Sequence, residues 1–213
     1  MLDELFLLSQ HFLRTGYRKY HRSIVSQLGR RNRLSIITGQ RGVGKTTAMI
    51  QSLSSTAEGN VLSREHLYIQ TDHFAVGNMK IYEIARSFNA LGGKYICFDE
   101  IHKYPDWSRE LKSIHDTFHE LTVFVTGSSA LHIYKGSHDL SRRAIVSPLN
   151  GFSLREYIEL KLDVKLPVLD LAGLLSDHEE AALSIIKAVE NKGDKILRLF
   201  RDYLEHGYYP YFQ

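Results

Sequence analysis

Two rhythms of apolar and polar positions run along this chain. Over residues 3–28, Leu5, Leu8, Phe12, Leu13, Tyr17, Tyr20, Ile24 and Leu28 recur at helical spacing, which predicts one amphipathic N-terminal helix. Short apolar runs without alternation follow. Residues 34–38, 66–70, 95–98 and 121–125 each read as a buried strand, and residues 144–146 as a fifth. Helical spacing returns between them, over residues 46–53 and 81–88, the second stopped by Gly92-Gly93. Leu111, Ile114, His115 and Phe118 line another helix, with Asp106 as its N-cap, and Gly59-Asn60 marks a turn. Past the fifth strand the pattern is helical throughout. Ser153 caps a short helix over 154–159, and two longer helices span 179–191 and 194–206, each followed by a glycine, Gly193 or Gly207, placed as a C-terminal cap. Ile196, Leu199, Phe200, Tyr203 and Leu204 stripe the last of these. Strands alternating with helices predict an α/β domain with a helical appendage.

The turn after the first strand carries the strongest chemical signal. Gly39-Gln40-Arg41-Gly42-Val43-Gly44-Lys45-Thr46-Thr47 fits Gly-x-x-x-x-Gly-Lys-Ser/Thr, the phosphate-binding P-loop. Its context is the required one, strand before and helix after. Glycines let the backbone wrap a phosphate with its N–H groups turned inward. Lys45 brings a charge to the β- and γ-phosphates, Thr46 offers a hydroxyl to Mg²⁺, and the helix adds its positive dipole end.

About fifty residues on, the run at 95–98 ends in Asp99-Glu100. A buried strand that delivers two acids at its C-terminal edge is the Walker B pattern, since α/β sheets bind ligands at that edge. Asp99 is expected to hold Mg²⁺ through its water shell and Glu100 to act as general base on the attacking water. Cys97 is expected in the core, because no basic neighbour activates it. The strand at 121–125 runs on into Thr126-Gly127-Ser128-Ser129. Placed between the P-loop strand and the acidic strand, it brings a hydroxyl to the γ-phosphate and the water. Ser128 is the first choice for that hydroxyl, Ser129 and Thr126 stand behind it, and plain turn residues are the alternative. Arg142 and Arg143, just before the fifth strand, are either solvated or supply the cation that neutralises the γ-phosphate in transfer; the sequence leaves these two readings even.

Composition narrows the setting. The chain of 213 residues has a formal net charge of only +3, too small to argue for nucleic acid by itself. Arg14, Arg18, Lys19 and Arg22 fit a nucleic-acid surface or, as preferred here, a solvated helix face. One cysteine fits a reducing compartment, and no run approaches the ~20 apolar residues that cross a bilayer. The start, Met1-Leu2-Asp3-Glu4, lacks the basic opening of a signal peptide. A cytoplasmic protein with no membrane partner is expected. The eleven histidines show no metal spacing, and His102 and His115 read as surface or packing residues.

Four stretches together resemble the predicted prokaryotic AAA+ ATPases: the P-loop, Phe98-Asp99-Glu100-Ile101-His102-Lys103-Tyr104-Pro105-Asp106-Trp107, Val125-Thr126-Gly127-Ser128-Ser129-Ala130, and Ser153-Leu154-Arg155-Glu156-Tyr157-Ile158. The likeness is strong over about residues 30–160. It implies a three-layer P-loop NTPase fold, a five-stranded parallel sheet in order 5-1-4-3-2, ATP and Mg²⁺ as cofactors, Asp99-Glu100 as Walker B, and Ser128 or Ser129 as sensor. It divides the chain into an ATPase core with the N-terminal helix, 1–165, and the start of a helical lid, 166–213. Arg143 aligns with the family arginine and Arg142 is extra. Members tend to read Tyr-Leu-x-x-Gly-Gly-Phe-Pro where this chain has Tyr203-Leu204-Glu205-His206-Gly207-Tyr208-Tyr209-Pro210.

The resemblance also implies an ATPase used as a switch or motor that works as a homo-oligomer, with ATP/ADP and a nucleic-acid or protein partner engaged beyond Gln213. On that reading the chain is an incomplete ATPase that hydrolyses ATP weakly alone. A nucleotide-gated binding module with little turnover is the alternative. A small-molecule kinase fits less well: it needs no water-activating glutamate, and the arginine-rich acceptor lid it carries is not found here. ATP rather than GTP rests on the resemblance and on the lack of an Asn-Lys-x-Asp run.

Overall fold

A computed structural model describes residues 2–28, 32–56, 63–77, 79–127 and 140–212. The chain divides into two compact units, Met1–Asn150 and Gly151–Gln213.

In the first unit five parallel strands form one sheet. They are β1 (Leu34–Thr38), β2 (His66–Gln70), β3 (Tyr95–Asp99), β4 (Thr122–Gly127) and β5 (Ala144–Pro148), in the spatial order β2-β3-β4-β1-β5. Read from the other edge this is 5-1-4-3-2, the order the resemblance implies. Alternate strand positions point to opposite faces. Leu34, Ile36, Leu67, Ile69, Ile96, Phe98, Val123 and Val125 therefore share one face, where they meet α3 (Ile81–Ala90) and α4 (Trp107–Thr117) through Ile84, Phe88, Leu111 and Ile114. The helix that follows the P-loop, α2 (Lys45–Thr56), packs on the other side, over β3 and β4. Burial on both faces is why the inner strands read as unbroken apolar runs.

The first helix, α1 (Leu2–Gly16), lies along the edge strand β2. Leu5 and Phe6 enter the core, and the Tyr68 N–H donates to Ser9 Oγ at 2.9 Å, so an edge donor finds a partner. The predicted helix over 3–28 is thus only half right. Gly16 sits against the end of the Ile50 side chain of α2, and the chain leaves the helix there. Gln51 Nε2 then donates to the Arg18 and Tyr20 carbonyls, each at 2.7 Å, pairing backbone that a continued helix would pair internally. A short 3₁₀ turn, Ser23–Gln27, follows. Asp106 does not cap α4 as predicted. It takes a left-handed conformation, φ 56°, and its side chain makes no cap bond.

The second unit is helical. Ser153 opens α5 (Leu154–Leu162) with a capping box: the Glu156 N–H donates to Ser153 Oγ, and the Ser153 N–H donates back to the Glu156 carboxylate. Next come α6 (Leu171–Ser176), α7 (His178–Glu190) and α8 (Ile196–Asp202), around a small core of Tyr157, Ile158, Leu166, Val189 and Leu199. The helix predicted to His206 ends earlier, in a π turn over Tyr203–Gly207. Gly207 is needed for space rather than for a left-handed angle, because a Cβ there would lie 2.8 Å from the Tyr157 ring. Among the described residues no helix is long and apolar enough to cross a membrane.

Candidate functional site

The loop between β1 and α2 is shaped by its glycines. Gly42 and Gly44 take φ of 87° and 93°, which side chains resist. A Cβ on Gly39 would collide with the Leu149 carbonyl, where the chain leaves β5 beside the loop. Val43 is buried and pins the loop from beneath, and its carbonyl accepts from Arg22 Nη1 at 3.3 Å. Gln40, Arg41 and Gly42 form an exposed crest, while Thr47 is half-buried on α2. Lys45 turns inward. Its Nζ donates to the Gly39 and Gln40 carbonyls at 3.0 and 2.9 Å. Burial pushes its pKa down, opposed by the nearby Glu100 and Asp99 carboxylates.

The P-loop and the acidic strand meet at Thr46, whose Oγ1 donates to Asp99 Oδ2 at 2.7 Å. Asp99 is 1% exposed and takes three further donors. Tyr68 OH donates to Oδ2 at 2.5 Å, Thr126 Oγ1 to Oδ1, and the Glu100 N–H to Oδ1 at 3.1 Å. Burial, and the negative Asp99 beside it, push the Tyr68 phenol far up, so it stays a proton donor. Glu100 follows in a left-handed conformation, φ 56°, at the strand's end. Its carboxylate lies 3.6 Å from His102 Nε2 and 3.7 Å from Lys103 Nζ. The neighbouring Cys97 is fully buried, and burial drives its thiol pKa up, as a core residue requires.

Not every residue singled out in the sequence reaches this place. Ser128 and Ser129 lie outside the described residues, as does the turn at Gly59-Asn60. Thr126, ranked behind them, is the β4 hydroxyl that stands on Asp99, and it also accepts from the Glu100 N–H at 3.1 Å. Arg143 precedes Ala144, which pairs with Leu34 at the start of β1, so it sits at the opposite edge of the sheet from the P-loop. There it grips Asp116 at the end of α4 with two bonds, Nε and Nη2, at 2.7 and 2.8 Å. Arg142 is exposed beside it.

Tyr68 and Thr71 went unnoticed in the sequence. The Thr71 N–H and hydroxyl both donate to the Asp99 carbonyl, at 3.0 and 2.8 Å, and fix the strand end.

A P-loop opening a helix, an acidic strand end beside it and one strand between the two define a P-loop NTPase of the AAA+ kind. Residues 31–158 match the AAA domain family, and the chain belongs to it. It is 29% identical over 140 residues to the uncharacterized protein MJ1637 of Methanocaldococcus jannaschii, across 62% of this chain and 29% of that protein's length. The chain therefore matches less than a third of that relative. Solved structures with some likeness include domain III of the Thermotoga maritima replication initiation protein DnaA, at TM-score 0.44 and 15% identity, over 93% of this chain and 92% of that one. PCH-2 of C. elegans matches at 0.44 and 15%, over 76% and 45%. The S. cerevisiae Hsp104–ADP complex matches at 0.42 and 14%, over 74% and 25%.

Proposed function

We propose that this chain binds ATP and hydrolyses it with Mg²⁺, as the ATPase part of a molecular switch or motor. The observation that carries the reading is the 2.7 Å bond between Thr46 and Asp99, which joins two motifs 53 residues apart. The glycine-rich loop and Lys45 would hold the phosphates. Thr46 gives its proton to Asp99, which leaves its oxygen lone pairs for a cation. An oxygen-only set of hydroxyl and carboxylates suits a hard cation such as Mg²⁺, which is held through one or two carboxylates together with substrate phosphates. Bound there, Mg²⁺ supplies charge that neutralises the transferring phosphoryl group.

Glu100 is the proposed base, next in sequence to Asp99 and at the sheet's ligand-binding edge. Ser128 keeps its proposed place beside the γ-phosphate, with Thr126 steadying Asp99. Arg143 is too far from this chain's own loop, so its proposed role is in a neighbouring copy. The segment 166–213 is taken as the start of a lid. The second reading, nucleotide-gated binding with little turnover, is favoured by one observation: the Glu100 carboxylate lies 3.6 Å from His102 Nε2 and 3.7 Å from Lys103 Nζ, which engage it within the chain.

Phosphate release separates the two. With ATP and Mg²⁺, Glu100→Gln is expected to keep nucleotide binding and to lose about 10²–10⁴-fold in rate. Wild-type turnover by Glu100→Gln, with Asp99→Asn inactive, would mean that the two acids are assigned wrongly. ATP binding by the wild type with no phosphate release, with or without DNA or RNA, would favour the second reading.

A further inference from the structure

We propose a second ligand site, apart from the P-loop, for a small hydroxylated organic phosphate of the sugar-phosphate class. A cavity of about 580 Å³ lies between the 3₁₀ turn Ser23–Gln27 and the last turns of α2, with Tyr95 at the start of β3 in its wall. That volume suits a small molecule. Ser55, in the same wall, stands roughly 15 Å along α2 from Lys45. The cavity and the phosphate loop are therefore separate places, and the site is independent of the nucleotide reading above.

The wall holds Arg22, His21 and hydroxyls such as Ser26, Ser55 and Thr56, and among the described residues no carboxylate. Arg22 is fixed there, because its Nη1 donates to the Val43 and Asn150 carbonyls at 3.3 and 2.7 Å. His21 is fixed by Tyr17, whose hydroxyl lies 3.0 Å from its Nε2. A guanidinium beside an imidazole, with no acid in the wall to answer them, selects an anion, and the guanidinium fork matches phosphate oxygens. The hydroxyls select the rest of the ligand. Ser26, Ser55 and Thr56 give their protons to the Ser23, Ser52 and Leu53 carbonyls, at 2.9, 2.8 and 2.8 Å. What they have left to offer is lone pairs, so they fit a ligand that donates, as sugar hydroxyls do. Behind the wall, the buried His66 ring stacks on Tyr95 at 5.0 Å and 7°. Neither of its nitrogens has a hydrogen-bond partner among the described residues. A buried imidazole without partners is rare in a native interior, so polar atoms at this spot outnumber the partners that the chain supplies.

The test is calorimetric titration of the full chain with ribose 5-phosphate, glucose 6-phosphate and glycerol 3-phosphate, against inorganic phosphate and free ribose as controls. At least one ester is expected to bind saturably and roughly tenfold or more above either control, since hydroxyl and phosphate contacts then add. Lys45→Ala, which takes the charge from the P-loop, is expected to leave that affinity unchanged. Arg22→Gln is expected to lose about tenfold to over a hundredfold, the worth of a charged hydrogen bond. His21 is exposed, so His21→Glu keeps the fold and decides the matter alone if Arg22→Gln does not fold. A carboxylate in the wall is expected to weaken ester binding by a similar factor. Binding that Lys45→Ala abolishes lies in the P-loop and overturns the proposal. Unchanged affinity in Arg22→Gln or in His21→Glu overturns it too, as does equal affinity for inorganic phosphate, or no saturable binding of any of the three esters.

Discussion

Lys45 is a cation with almost no water around it. At 5% exposure its ammonium uses two of its three donors on the loop's own carbonyls. Such a group costs stability in the empty loop and is repaid by phosphate. Lys45→Ala is expected to weaken ADP binding by about tenfold to over a hundredfold, the worth of a charged hydrogen bond at about 1.5–3 kcal/mol. Calorimetric titration checks this, and unchanged affinity would remove Lys45 from the site. Burial also lowers its pKa, so the proton leaves at a lower pH than from an ordinary lysine. Wild-type affinity should accordingly begin to fall earlier on the alkaline side, and the Lys45→Ala profile should lack that limb. Residue types and spacing made Lys45, Thr46, Asp99 and Glu100 legible in the sequence, because a P-loop followed by an acidic strand constrains them all. Tyr68 was not legible, since nothing in a run such as His66–Gln70 shows which polar atom faces a carboxylate on the next strand.

At the scale of elements, the end of α4 is tied to the turn before β5 by the Arg143–Asp116 pair. The arginine's two bonds pull the Asp116 carboxyl down to about 2, from an ordinary 3.8. A carboxylate with a lowered folded pKa adds stability above its unfolded pKa and loses it as pH falls through the folded one. The contribution is thus whole above about pH 4 and gone near pH 2. Asp116 is 43% exposed, so the gain is that of a surface pair, within ~1 kcal/mol. The stability difference between wild type and Asp116→Asn, from urea melts, should shrink as pH drops from 4 to 2. A difference that stays constant over that range would mean the ion pair contributes nothing. Helix ends were the least legible elements. The first helix stops at Gly16, against Ile50 of α2, and Asp106 enters α4 through a left-handed turn without a side-chain cap. The Ser153 cap was legible because both of its bonds lie within four consecutive residues.

For the whole molecule the sheet decides who can help whom. Five strand residues at ~3.3 Å each separate Arg143 from the P-loop edge, beyond any side chain's reach. If Arg143 assists phosphoryl transfer, it does so in another copy. Arg143→Ala and Lys45→Ala chains, each inactive alone, should regain ATPase activity when mixed, against a loss of about 10³–10⁵-fold for a missing cation of this kind. Failure to recover in a mixture shown to co-assemble would leave Arg143 a structural role, exemplified by its pair with Asp116.

By itself the sequence determined the strand-and-helix alternation, the P-loop and the acidic strand end, because each is a local pattern with one physical meaning. It did not determine which strands are neighbours, since long-range pairing leaves no trace in a buried apolar run; the order came with the resemblance. Only the tertiary structure set Tyr68 and Thr126 on the Asp99 carboxylate, stopped α1 at Gly16 and turned Arg143 away to the far edge. Each of those depends on residues far apart in the chain that meet only when β2, β3, β4, β1 and β5 lie side by side.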